Sequence, residues 1–126
     1  MSSLEILQTR FGYSSFRLEQ EAIINTVLQK KDTFVLMPTG GGKSLCYQIP
    51  ALIFDGLTVV ISPLIALMKD QVDALRLNGV PAAFLNSTQS AQQQEEILQK
   101  VNSKELKLLY LAPESTFFKK ISSFDV

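Results

Sequence analysis

Four short apolar runs, 33–37 (TFVLM), 57–62 (LTVVIS), 82–86 (AAFLN) and 106–111 (LKLLYL), recur along the chain. Between each pair lies a segment whose apolar residues follow helical spacing, and this alternation constrains the fold more than any other feature. Consecutive strands separated by helices cannot form hairpins, so they pair in parallel, with the helices covering the faces of the sheet. The expected class is α/β. Runs as apolar as 33–37 and 57–62 predict strands buried on both faces.

The helices are placed by their own periodicity. Leu18, Ala22, Ile23, Val27 and Leu28 predict a helix over 17–29, and Leu64, Met68, Val72 and Leu75 predict one over 64–78 closed by Asn78-Gly79. Helices are also expected over 43–54 and 91–101. Pro50 lies inside the former and predicts a kink or an early stop there. Gln92-Gln93-Gln94 is too short to count as low complexity.

Composition narrows the chemistry. The 126 residues carry 12 Lys+Arg and 12 Asp+Glu, a net charge of zero, so nucleic acid cannot be held by bulk attraction and a polyanion needs a local site. Histidine is absent, which removes His-based triads and His-containing zinc sites. Cys46 is the only cysteine, so no internal disulfide can form. With no histidine to activate it, Cys46 reads as a packed residue rather than a nucleophile. The apolar stretch 56–68 is too short to cross a bilayer, and no secretory leader is visible, which predicts a cytoplasmic chain, near the nucleoid if bacterial.

The local site is the segment Met37-Pro38-Thr39-Gly40-Gly41-Gly42-Lys43-Ser44, between an expected strand and an expected helix. Consecutive glycines let backbone N–H groups converge on one concavity, and a helix N-terminus adds about half a positive charge. A triphosphate fits such a cradle, with Lys43 reaching its terminal phosphates and the Ser44 hydroxyl ligating Mg2+. The general pattern GxxxxGK[ST] has glycine where this chain has Met37. A dinucleotide fold is disfavoured, because no GxGxxG occurs. A small-molecule kinase and a non-catalytic nucleotide-binding or interaction module remain open on these residues alone.

The segment MPTGGGKSLCYQIPAL (37–52) resembles motif I of RecQ-type DNA helicases, ATP-driven motors of superfamily 2, where the first glycine of the pattern is commonly replaced. Phe11-Gly12-Tyr13 with Phe16-Arg17-Leu18-Glu19-Gln20 resembles the adenine-recognition motif of that family. Residues 60–72 (VISPLIALMKDQV) resemble motif Ia, and Leu85-Asn86-Ser87-Thr88 and Tyr110-Leu111-Ala112-Pro113-Glu114 resemble the segments that follow it.

The resemblance implies a partial RecA-like domain over 33–126, incomplete at its C-terminus, preceded by N-terminal helices over 1–32. It implies ATP and Mg2+ as cofactors, with Gln20 reading adenine, Tyr13 stacking on the base and Arg17 lining the pocket. Without that resemblance Gln20 reads as a solvated helix residue, as most glutamines are. The implied activity is 3′ to 5′ unwinding of duplex DNA.

Ser62, Pro63 and Leu64 at the end of one expected strand, and Asn86, Ser87 and Thr88 at the end of the next, are the expected contacts to DNA phosphates. Ser62-Pro63 also reads as an ordinary helix cap, and the two roles are compatible. The sequence holds no Asp-Glu pair, so the family's DExH motif is missing. Hydrolysis is therefore expected to need the remainder of the helicase, including a second RecA-like domain.

Overall fold

The computed structural model describes residues 2–17, 19–33, 35, 42–113, 119 and 121. They fall into two compact units, 1–55 and 56–126.

The first unit is helical. Helix α1 (Ser3–Arg10) starts at Ser2, whose hydroxyl accepts the Glu5 N–H at 3.2 Å. It is followed by α2 (Gln20–Leu28) and α3 (Leu45–Ile53), and α3 packs against both. Ile6, Leu7, Ile24 and Ile49 form the buried centre, with Phe11, Phe16, Leu28, Leu45, Leu52 and Ile53 packed around it. Burying one such aliphatic side chain contributes about 1.5–3 kcal/mol.

The buried face of α2 differs from the one expected. Gln20 and Ile24 are buried while Ala22 is exposed, so the inward stripe runs through positions 20, 24 and 28. Two backbone partners draw the Gln20 amide inward, and the helix presents that side. Pro50 lies inside α3, yet the helix continues to Ile53, and the Phe54 N–H still reaches the Pro50 carbonyl at 2.8 Å. The expected early stop does not occur. Of the strand expected over 33–37, Phe34, Leu36 and Met37 lie outside the described residues, and Thr33 and Val35 carry no strand pairing.

The second unit is a parallel sheet with helices. Strands β1 (Thr58–Ile61), β2 (Ala82–Leu85) and β3 (Leu108–Leu111) alternate with α4 (Ile65–Leu77) and α5 (Ala91–Asn102). The order is β1-β3-β2, with both pairings parallel. The strand latest in sequence therefore sits in the middle, and every residue of β3 is buried. The α/β class and parallel pairing expected from the alternation are both present.

Two local expectations are corrected. Strand β1 is not buried on both faces: Val59 and Ile61 are exposed, alternating with half-buried Thr58 and Val60. It is an edge strand among these three, and double-sided burial falls to β3 instead. Leu64 does not join the stripe of Met68, Val72 and Leu75. It is the N-cap of α4, with non-helical φ −89° and ψ 71°, and is exposed.

The end of α4 is as expected. Gly79 adopts φ +77°, its N–H bonds to the Arg76 carbonyl, and the Val80 N–H bonds to the Leu75 carbonyl, both at 3.0 Å. This pair of bonds is a Schellman closure. Helix α5 begins with a capping box, in which Ser90 Oγ accepts the Gln93 N–H and Gln93 Oε1 accepts the Ser90 N–H. No helix among the described residues is long and apolar enough to cross a membrane.

Candidate nucleotide and nucleic-acid sites

In the first unit the structure brings Gln20 to the end of the glycine loop. The Arg17 N–H donates to Gln20 Oε1 at 2.8 Å, and Gln20 Nε2 donates to the Gly42 carbonyl at 3.2 Å. Gln20 is only 2% exposed, so it is not a solvated helix residue. An amide offers two N–H donors and two acceptor lone pairs, and these bonds use one of each. One donor and one acceptor remain, the complement an adenine edge requires.

Gly42 is fixed by geometry as well as bonding. Its φ is +76°, and a Cβ placed there would come within 2.2 Å of Gln20 Nε2. Lys43 follows with an exposed side chain, and Ser44 caps α3 without a side-chain capping bond. The Ser44 hydroxyl is thus not engaged as a cap, and Lys43 stands at the amino end of a nine-residue helix. Met37, Pro38, Thr39, Gly40 and Gly41 lie outside the described residues.

Of the other adenine-motif residues, Tyr13 is 53% exposed and Arg17 is exposed, so both side chains have room for a ligand. Cys46 lies next to Gly42, its Sγ 4.0 Å from the Gly42 carbonyl. Burial pushes its thiol pKa up, which suits a packed residue and not a nucleophile. No group of three or more Cys, Asp and Glu among the described residues could hold a metal ion. The donor set at the loop, an amine and a serine hydroxyl at a helix N-terminus, fits a magnesium–triphosphate complex.

In the second unit, parallel pairing places the carboxyl ends of all three strands on one edge. Ile61, Leu111 and Leu85 are in register across β1, β3 and β2. The ladder extends one step further, with the Ser62 N–H on the Leu111 carbonyl at 3.1 Å and the Ala112 N–H on the Leu85 carbonyl at 3.2 Å. The two outer strands lie about 10 Å apart, at one strand spacing on either side of β3.

Ser62 Oγ accepts the Leu64 N–H at 3.1 Å, an arrangement that leaves the hydroxyl proton free to donate elsewhere. Pro63 and Leu64 are exposed beside it. Asn86 is buried, and its side chain turns inward: Oδ1 accepts both the N–H of Thr88, at 2.9 Å, and the Thr88 hydroxyl. Asn86 Nδ2 contacts Met68 Sδ at 3.6 Å. Ser87 is exposed, and no side-chain hydrogen bond holds it among the described residues.

Sequence reasoning did not single out Gln89 or Gln94, which tie this turn down. It also missed Gln71, whose Oε1 accepts the Tyr110 hydroxyl at 2.9 Å and joins α4 to the central strand. The detectable signal was the spacing Ser90-x-x-Gln93, which announces a capped helix directly after the turn.

The comparisons with known proteins agree along the chain. The family model described as DEAD/DEAH box helicase matches residues 17–123. The chain is 57% identical over 125 residues to the ATP-dependent DNA helicase RecQ of Haemophilus influenzae, covering 96% of this chain and 20% of that protein. It is 54% identical over 110 residues to the ATP-dependent DNA helicase RecQ of Bacillus subtilis, covering 86% of this chain and 19% of that protein. With the ATP-dependent DNA helicase Q5 of Rattus norvegicus the identity is 48% over 112 residues, 86% of this chain and 12% of that protein. The chain therefore spans a fifth or less of the length of these curated relatives. With its parallel sheet, its Gly-Lys-Ser helix start and a match from residue 17 to 123, the chain belongs to the DEAD/DEAH box helicase family.

Proposed function

We propose that this chain is the nucleotide-gripping part of a RecQ-type ATP-dependent DNA helicase, which unwinds duplex DNA in the 3′ to 5′ direction. The observation that carries the reading is the bond from Gln20 to Gly42, which links the adenine-motif residue directly to the phosphate loop. Similarity through residues 17–123, well beyond that loop, supports a helicase over a small-molecule kinase.

In this reading Gln20 presents its remaining donor and acceptor to adenine, Tyr13 stacks on the base and Arg17 lines the pocket. Met37, Pro38, Thr39, Gly40, Gly41 and Gly42 supply the cradle, Lys43 neutralises the terminal phosphates and Ser44 ligates Mg2+ held by them. Bound Mg2+·ATP supplies the phosphoryl chemistry, while these residues bind and orient it. Ser62 and Ser87 donate to DNA phosphates at the carboxyl edge of the sheet. Pro63 and Leu64 shape that edge, and Asn86 with Thr88 frames the turn. Turnover requires carboxylates and arginines from elsewhere in the helicase, and the working site is the cytoplasm, at the nucleoid in a bacterium.

Titration with a fluorescent ATP analogue tests this. Lys43→Ala is expected to weaken binding at least tenfold, and Gln20→Ala to erase the preference for ATP over GTP. Unchanged affinity in Lys43→Ala would overturn the reading, whereas ATP turnover by the 126-residue chain that Lys43→Ala abolishes would overturn only the expectation that further carboxylates and arginines are needed.

A further inference from the structure

The turn after β2 is held by amides that the proposed function does not use. Gln89 Oε1 accepts the Asn86 N–H at 3.1 Å, and Gln89 Nε2 donates to the Phe84 carbonyl at 2.9 Å. One side chain thus spans the end of the strand and satisfies a backbone donor and a backbone acceptor. From the first turns of α5, Gln94 Nε2 donates to the Asn86 carbonyl at 3.1 Å and the Gln89 carbonyl at 3.4 Å. Both donors of Thr88 are directed inward to Asn86, and the capping box of Ser90 and Gln93 closes the helix end upon itself. Ser87 is left as an exposed hydroxyl of the turn that no side-chain hydrogen bond holds among the described residues.

We infer that Gln89 and Gln94 are positioning residues for DNA: they fix the turn so that the Ser87 hydroxyl meets a phosphate of the bound strand. This rests on the reading of the turn as a DNA contact. An unpinned turn would have to lose conformational freedom on binding, and ordering its backbone costs about 1–2 kcal/mol per residue. The two glutamines meet that cost during folding, before DNA arrives. A hydroxyl held in this way positions a strand without reading its sequence.

The test is binding of the full chain to fluorescent oligo-dT, followed by anisotropy across a NaCl titration. Ser87→Ala is expected to weaken binding about fivefold, the size of one neutral-donor contact. The salt slope should stay unchanged, because a hydroxyl displaces no counterion. Gln94→Leu and Gln89→Met are each expected to weaken binding to a similar degree.

Combining Ser87→Ala with Gln94→Leu should add little further loss, since both act on the same contact. Independent, additive losses would overturn the inference by assigning the glutamines a structural role only. A loss with Ser87→Ala alone, and none with either glutamine variant, would overturn the inference and leave the DNA reading standing. No effect of Ser87→Ala, or no binding by the unaltered chain, would overturn both. Should Gln94→Leu unfold the protein, Gln89→Met decides, with the same double variant built on it.

Discussion

Gln20 Nε2 donates to the Gly42 carbonyl at 3.2 Å, and a methyl group added to Gly42 would stand 2.2 Å from that same nitrogen. The close approach and the φ of +76° at Gly42 therefore exclude a side chain for two independent reasons. Gly12 offers the matched control: its φ is +77°, but nothing lies within 4 Å of a Cβ built there.

Gly12→Ala should cost about 1–2 kcal/mol, the left-handed backbone term alone. Gly42→Ala should cost more, and removing the amide in Gly42→Ala/Gln20→Ala should return less than the sum of the single losses. Urea denaturation midpoints check this. Equal penalties at Gly12 and Gly42 would show that the Gln20 contact relaxes freely.

A second prediction concerns Lys104, which closes α5. Its φ is +63°, its N–H bonds to the Val101 carbonyl and the Glu105 N–H bonds to the Lys100 carbonyl, both at 3.1 Å. This is the closure that Gly79 makes at the end of α4, with a lysine where glycine is at ease. Lys104→Gly is expected to stabilise the protein by about 1–2 kcal/mol, and Gly79→Lys to destabilise it by a similar amount. Paired thermal melts read both, and a lower midpoint for Lys104→Gly would refute the strain argument.

The third follows from Cys46. Desolvation raises its pKa in the folded protein, so the native thiol keeps its proton at pH values where the unfolded thiol ionises. The stability this group contributes is fully present below the unfolded pKa and is lost as pH rises through the raised, folded value. Alkylation by iodoacetamide at about pH 8.5, near the free thiol's pKa, should be much slower in the native protein than in urea. Equal rates in the two states would rule out the burial effect.

What the sequence disclosed was periodic or local. The turn at Asn78-Gly79, the strands 82–85 and 108–111 and the helix α5 between them followed from side-chain spacing and a single glycine. The inward face of α2 was misread because hydropathy places Ala22 and Ile23 inside and a glutamine outside. Only the partners of Gln20, one of them 22 residues away at Gly42, reverse that order. The exposure of Val59 and Ile61 was hidden for a related reason: an apolar run reports that a strand is β-rich, not which neighbours it receives. The same limit hid Gln89 and Gln94, whose partners are backbone carbonyls and N–H groups that carry no mark in the sequence.

The placement of β3 between β1 and β2 has a consequence for synthesis. Thr58 and Ala82 both await Leu108 as their ladder partner, so a chain emerging from the ribosome carries two finished strand sequences with nothing between them to pair with. These two strands can join only when β3 arrives, and until then their edges facing it stay open. The order of translation thus makes β3 the keystone between two strands synthesised before it.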